Sequence, residues 1–200
     1  SSSFERKRER SFAVMALASC DALGDVSGKG VPAALYSVFA GELVRGRTFR
    51  RRYVPERSSP AAVLTSINTI LHERQLEEYY CTLCYAIFDL KRRIVTLANS
   101  GVPYPVRASG SECALIEAQG VPLGSFHGMT YDEVTFPLQS DDVFVFCSDG
   151  VTEAMNRRSD EFGSTRLLEV VSETRHLSAR EIVHSITEAV DAHRAGFPPN

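Results

Sequence analysis

The chain predicts an α+β domain, in which helices are segregated from an antiparallel sheet system. Two observations carry this. Apolar residues recur at helical spacing near both ends of the chain and at strand spacing between. The strand-like runs are joined by short turns, which suit hairpins rather than crossovers. Strand and helix do not alternate as a doubly wound parallel sheet requires, and no repeat or low-complexity segment interrupts the pattern.

Residues 1–10 read as a polar tail ahead of one domain spanning 11–200. Phe12 to Leu23 is mostly apolar, and its end reads as a strand entering a loop at Gly24. Val31-Pro32 opens a helix to about Val44, because a first helical turn has no use for the N–H that proline lacks. Phe49 to Ser59 is a charged loop. Pro60 to Leu76 is a second helix, with Val63, Leu64, Ile67, Ile70 and Leu71 on one face. Strands then follow at Tyr79–Asp89, Arg93–Ala98, Pro103–Ala108, Cys113–Glu117, Tyr131–Pro137 and Asp142–Cys147. Arg166–Glu173 and Ala179–Ala192 close the chain as amphipathic helices.

The composition bounds the function. Two hundred residues, 44% of them hydrophobic, suffice for one sizeable core. No apolar run approaches the ~18 residues of a membrane span, so no membrane partner is expected. A net charge of −3 argues against nucleic acid as a partner. The arginines of 45–52 read as a solvated face. Five cysteines form no disulfide framework, and Cys81 and Cys84 read as buried thiols of a strand, as in a cytoplasmic protein. His184 and His193, on and just past the last helix, read as surface or packing residues.

Chemistry concentrates in Gly24-Asp25-Val26-Ser27-Gly28-Lys29-Gly30 and in Ser148-Asp149-Gly150. Each aspartate ends an apolar run beside glycine. A carboxylate there is costly unless it is solvated, hydrogen-bonded or bound to a cation. Oxygen ligation of this kind selects Mg2+ or Mn2+ over zinc. Turn aspartates are the plainer reading, and the residues alone leave the two open. Neither GxxxxGK[ST] nor GxGxxG is present, which disfavours a nucleotide site.

These segments resemble a known family. Residues 24–35 are similar to the signature of bacterial PPM-type (protein phosphatase 2C-like) serine phosphatases of the RsbU and SpoIIE group. Leu97 to Pro105 resembles that family's YANAGHPPP segment, Gly120 to Gly124 its GxPLG turn, and Ser148 to Ala154 its SDGVTEA segment. Glu161-Phe162-Gly163 resembles its xFG stretch.

The resemblance implies an αββα sandwich of two antiparallel sheets flanked by helices. It implies hydrolysis of phosphoserine or phosphothreonine on a protein, the usual substrate being a STAS-type anti-sigma-factor antagonist. Two Mn2+ or Mg2+ ions are expected, held by Asp25, the Val26 carbonyl and Asp149. No side chain is expected to act as nucleophile, since a metal-bound water does so in the family. Ser27, Gly28, Lys29, Gly30 and Asn99 are expected on the phosphate and substrate rim. Members of the family often carry an upstream sensor domain, a homodimer is left open, and the reduced cysteines point to a cytoplasmic location. Val102 stands where the family usually carries histidine, and Asp21 where an apolar strand residue is usual. The family has two further metal aspartates, in an upstream Gly-Asp-Tyr/Phe-Tyr/Phe-Asp segment and a closing Asp-Asp-x-Thr. Neither pattern is found here, so parts of both sheet edges are expected to be missing and the domain incomplete at both ends. A non-catalytic binding module on the same fold is the alternative reading.

Overall fold

A computed structural model describes residues 59–73 and 80–195, together with the backbone of 12–15 and 21–26. Two four-stranded antiparallel sheets form its centre. One runs β1 (Phe12–Met15), β8 (Val143–Cys147), β5 (Val106–Ser109), β6 (Glu112–Leu115). The other runs β2 (Asp21–Val26), β3 (Cys81–Asp89), β4 (Ile94–Asn99), β7 (Val134–Pro137). The apolar stretch from Phe12 to Leu23 is thus two strands, and they belong to different sheets. A single hydropathy run does not show this division, because both halves are apolar.

Side-chain alternation explains the layering. Along β3, Cys81, Leu83, Tyr85 and Ile87 share a core with Val63, Leu64, Ile67 and Leu71 of helix α1 (Pro60–Glu73). The intervening Cys84, Ala86 and Phe88 meet Phe144 and Phe146 of β8, between the sheets. The other face of β8, Val145 and Cys147, packs under α3 (Gly163–Thr174) and α4 (Ala179–Arg194) through Leu167, Val171, Ile182, Ile186 and Val190. The result is helix, sheet, sheet, helix, as the resemblance implies. Cys81 and Cys84 fall on opposite faces of one buried strand, and burial pushes the Cys84 thiol up to about 12. They are packing residues, as expected.

Turn chemistry fixes the strand ends. Asp89 Oδ1 accepts from the N–H groups of Lys91 and Arg92 (3.1 and 3.0 Å), closing the β3–β4 hairpin. Ser178 caps α4 in a reciprocal capping box with Glu181, worth about 1 kcal/mol. A four-residue helix, α2 (Asp149–Thr152), follows β8 directly. The sequence reading misses it, because a single turn offers no periodicity.

Arg107 ties the two sheets at one edge. Standing on β5, it reaches Asp142 Oδ2 at 2.8 Å and the Pro137 carbonyl of β7 at 2.9 Å, and its guanidinium lies 4.9 Å from the centre of the Phe136 ring. The Asp142 side chain is fully buried, so removing its cation strands a buried charge. Arg107→Ala is expected to cost about 3 kcal/mol in urea unfolding, whereas Arg107→Lys, which keeps charge but not the fork, recovers only part of that loss.

Candidate active-site cleft

The candidate site is built at one end of the sandwich. Val26 of β2 pairs with Cys81 of β3, and Cys84 of β3 pairs with Asn99 of β4. The C-terminal ends of β2 and β4 therefore lie together at the N-terminal end of β3. A cleft of about 970 Å3 opens there, and its lining includes Asn99 and Asp149, just past β8. The register thus brings Asp25, paired with Thr82, to the end of its sheet where Asp149 leaves the other. The Asp25 side chain and residues 27–30, including Ser27, Gly28, Lys29 and Gly30, lie outside the described residues.

One wall of the cleft depends on close backbone approach. A Cβ on Gly120 would sit 1.8 Å from the Asn99 carbonyl oxygen, so only glycine fits. Gly120 to Gly124 is held from the other side by Asn68 of α1, which is fully buried. Its Oδ1 accepts from Gly124 N–H at 2.8 Å and its Nδ2 donates to the Phe126 carbonyl at 3.0 Å. Beneath this wall, buried Ser100 extends the β3–β4 ladder through both N–H and Oγ to Leu83.

Asn99 lines the cleft at the end of β4. Its amide donates to the Val102 carbonyl (2.8 Å) and accepts from Val102 N–H (3.0 Å), while the side chain is buried. Both ends close a turn that shapes the rim, and the amide nitrogen carries a second N–H beyond the one given to Val102. Val102, standing where a histidine is usual, is buried in the core between the sheets.

The opposite wall is acidic. Asp149 opens α2 with its residue exposed, and among the described residues no donor reaches its carboxylate. Glu153 and Glu161 line the same cleft. Desolvation first, then the charges of Asp149 and Glu161, raise the Glu153 carboxyl above its ordinary range. Asp132 joins this lining, and no Lys, Arg or His does so among the described residues. The sequence reading passes over Glu153 and Glu161, although Glu153 stands one helical turn beyond Asp149.

The donor set fits hard divalent cations: exposed carboxylate oxygens, like charges held together, and an open cleft that admits water. Among the described residues no three such side chains form a group that could hold a metal ion.

Comparison with known proteins decides the family. The family model for stage II sporulation protein E matches residues 20–199. The chain belongs to the SpoIIE family. Phosphoserine phosphatase RsbU of Bacillus subtilis is 27% identical over 173 residues, covering 84% of this chain and 49% of RsbU. The chain therefore spans about half of that relative's length. The SiaA PP2C domain of Pseudomonas aeruginosa has the same fold, with a TM-score of 0.80 at 16% identity, covering 96% of this chain and 76% of that one. The catalytic domain of the phosphatase PstP, solved with two manganese ions, gives a TM-score of 0.65 at 15% identity, covering 95% and 88%. The SpoIIE-family domain described here is thus a PPM-type domain with a PP2C-like αββα architecture.

The acidic wall makes stability depend on pH. A carboxyl whose folded pKa is raised contributes stability at low pH that is lost as pH rises through the raised value. Without added cation, Glu153→Gln is expected to raise the melting temperature at about pH 7 and to leave it unchanged at about pH 3.5, where carboxyls are protonated in either state. Thermal unfolding of both proteins at the two pH values measures this.

Proposed function

We propose that this domain is a metal-dependent protein serine/threonine phosphatase that hydrolyses phosphoserine on a bacterial signalling protein. A phosphorylated STAS-type partner in the cytoplasm is the substrate class, by its resemblance to the RsbU group. The observation that carries the reading is the pairing of strand ends: Asp25 and Asp149 leave two different sheets at one end of the sandwich, beside an acidic cleft. The same fold carries two manganese ions in the PstP domain, and an RsbU relative is named a phosphoserine phosphatase.

In this reading Asp149 and Asp25 bind through carboxylates and Val26 through its carbonyl. Divalent ions held there would supply an activated water and offset phosphoryl charge. The protein's own groups do the rest. The acidic wall concentrates divalent cations. Lys29, with the helix that the sequence predicts from Val31, attracts the phosphate, as helix N-termini favour anions. The Gly120–Asn99 contact keeps the rim rigid, so the phosphorylated loop of a partner meets a preformed edge.

Asp149→Asn is expected to lower manganese-dependent phosphate release from a phosphoserine protein by about a hundredfold or more while the melting temperature stays close to wild type. Wild-type rates in that variant would remove Asp149 from the mechanism. A wild-type domain that binds the phosphoprotein yet releases no phosphate at any Mn2+ concentration would favour the non-catalytic binding module.

A further inference from the structure

We infer that His72 and His127 form a site for one transition-metal cation of the zinc class, and that the bound ion pins the glycine-rich wall of the cleft to α1. The inference stands on residues outside the cleft and does not depend on the phosphatase reading. It begins with how α1 holds the loop after Gly120. Asn68 accepts from Gly124 N–H at 2.8 Å and donates to the Phe126 carbonyl at 3.0 Å. His72 stands four residues further along the helix, on the same face. His127 directly follows Phe126. The Asn68 bonds therefore lay His127 beside His72, and the two rings meet edge to face, with centroids 5.7 Å apart and planes at 73°.

This pair lacks the partners that other histidines have. His193 Nε2 lies 2.9 Å from the Asp160 carbonyl oxygen, and His184 Nε2 lies 3.4 Å from Glu188. Among the described residues neither His72 nor His127 makes a hydrogen bond or ion pair, and Nε2 of His72 is buried. A buried ring nitrogen without a partner is costly, and a bound ion removes that cost. The face of a neighbouring ring is only a weak acceptor. His127 is exposed, which gives an ion access from solvent.

Spacing and chemistry select the ion. An imidazole nitrogen holds zinc at about 2.1 Å, so each ring centre stands about 3.2 Å from the ion, and two such rings at a tetrahedral angle are about 5 to 6 Å apart. The separation of 5.7 Å lies in that range. Neutral imidazole suits Zn2+, Cu2+ or Ni2+, whereas Mg2+ seeks carboxylate and water. His72 lies in the last turn of α1, where the helix dipole favours positive charge. Two protein ligands leave the remaining positions to water. Bound there, the ion joins α1 to the loop at residue 127, beyond the points already held by Asn68. Gly120 and Val121 of that loop line the cleft, so loading the site stiffens the cleft wall.

Two measurements on the whole domain test this, with Zn2+ alone as the probe and excess Mg2+ present to engage carboxylates. In calorimetric titration, wild type is expected to bind Zn2+, and His72→Ala and His127→Ala are each expected to weaken that binding by about tenfold or more. The double variant should lose little beyond either single one, because one imidazole alone is a poor site. Amide exchange locates the ion: Zn2+ is expected to slow exchange of the Gly124 N–H by about tenfold in wild type and to leave it unchanged in His127→Ala. His127 is exposed, so His127→Ala should keep the wild-type melting temperature without metal, which separates lost ligation from lost folding. A wild-type domain that takes up no Zn2+, or the same Zn2+ affinity in wild type and both single variants, overturns the site. Zn2+ uptake that leaves Gly124 exchange unchanged in wild type overturns the pinning of the wall. Each result is read without phosphate release, so none of them decides the phosphatase reading.

Discussion

Both central sheets must be covered twice, and that constraint organises the molecule. β3 and β8 are buried on both faces, so neither tolerates a charge along its central length. Phe144 and Phe146 look inward to the partner sheet while Val145 and Cys147 look outward to helices. Ionisable groups are pushed to where strands stop. Asp25, Asp89, Asp142 and Asp149 all stand at or just beyond strand ends. Two of these ends, Asp89 and Asp142, are neutralised by turn N–H groups or by Arg107. Asp149 has no such partner among the described residues, and it lines the cleft. Strand ends in this fold thus differ in whether local groups close them.

The sequence is most legible where one element carries one period. Helix α4 and the β3–β4 hairpin lie within a few residues of their expected limits, because amphipathic spacing and turn residues are local signals. The split of Phe12 to Leu23 between two sheets is not local, since it depends on which partner each half finds. The same holds for Asn99. Its motif context marks it as part of the site, but only the turn to Val102 reveals that its amide is already engaged.

Asp25 and Asp149 are legible in the sequence as a pair because each follows an apolar run into glycine. The glutamates are harder to see. Glu153 and Glu161 are ordinary surface residues by composition, and they acquire meaning only when α2 and the turn before Phe162 bring them beside Asp149. Like charges on one lining repel, and the raised Glu153 carboxyl reflects this together with its burial.

One amide deserves a last remark for what it excludes. Asn68 gives a proton to one carbonyl and takes one from one N–H, and both partners belong to the segment that forms the glycine-rich wall. An aspartate there would set an anion against the Phe126 carbonyl, and a leucine would leave both bonds unmade. The loop is keyed to a single functional group, so a change at that one helical side chain reaches the glycine-rich wall directly.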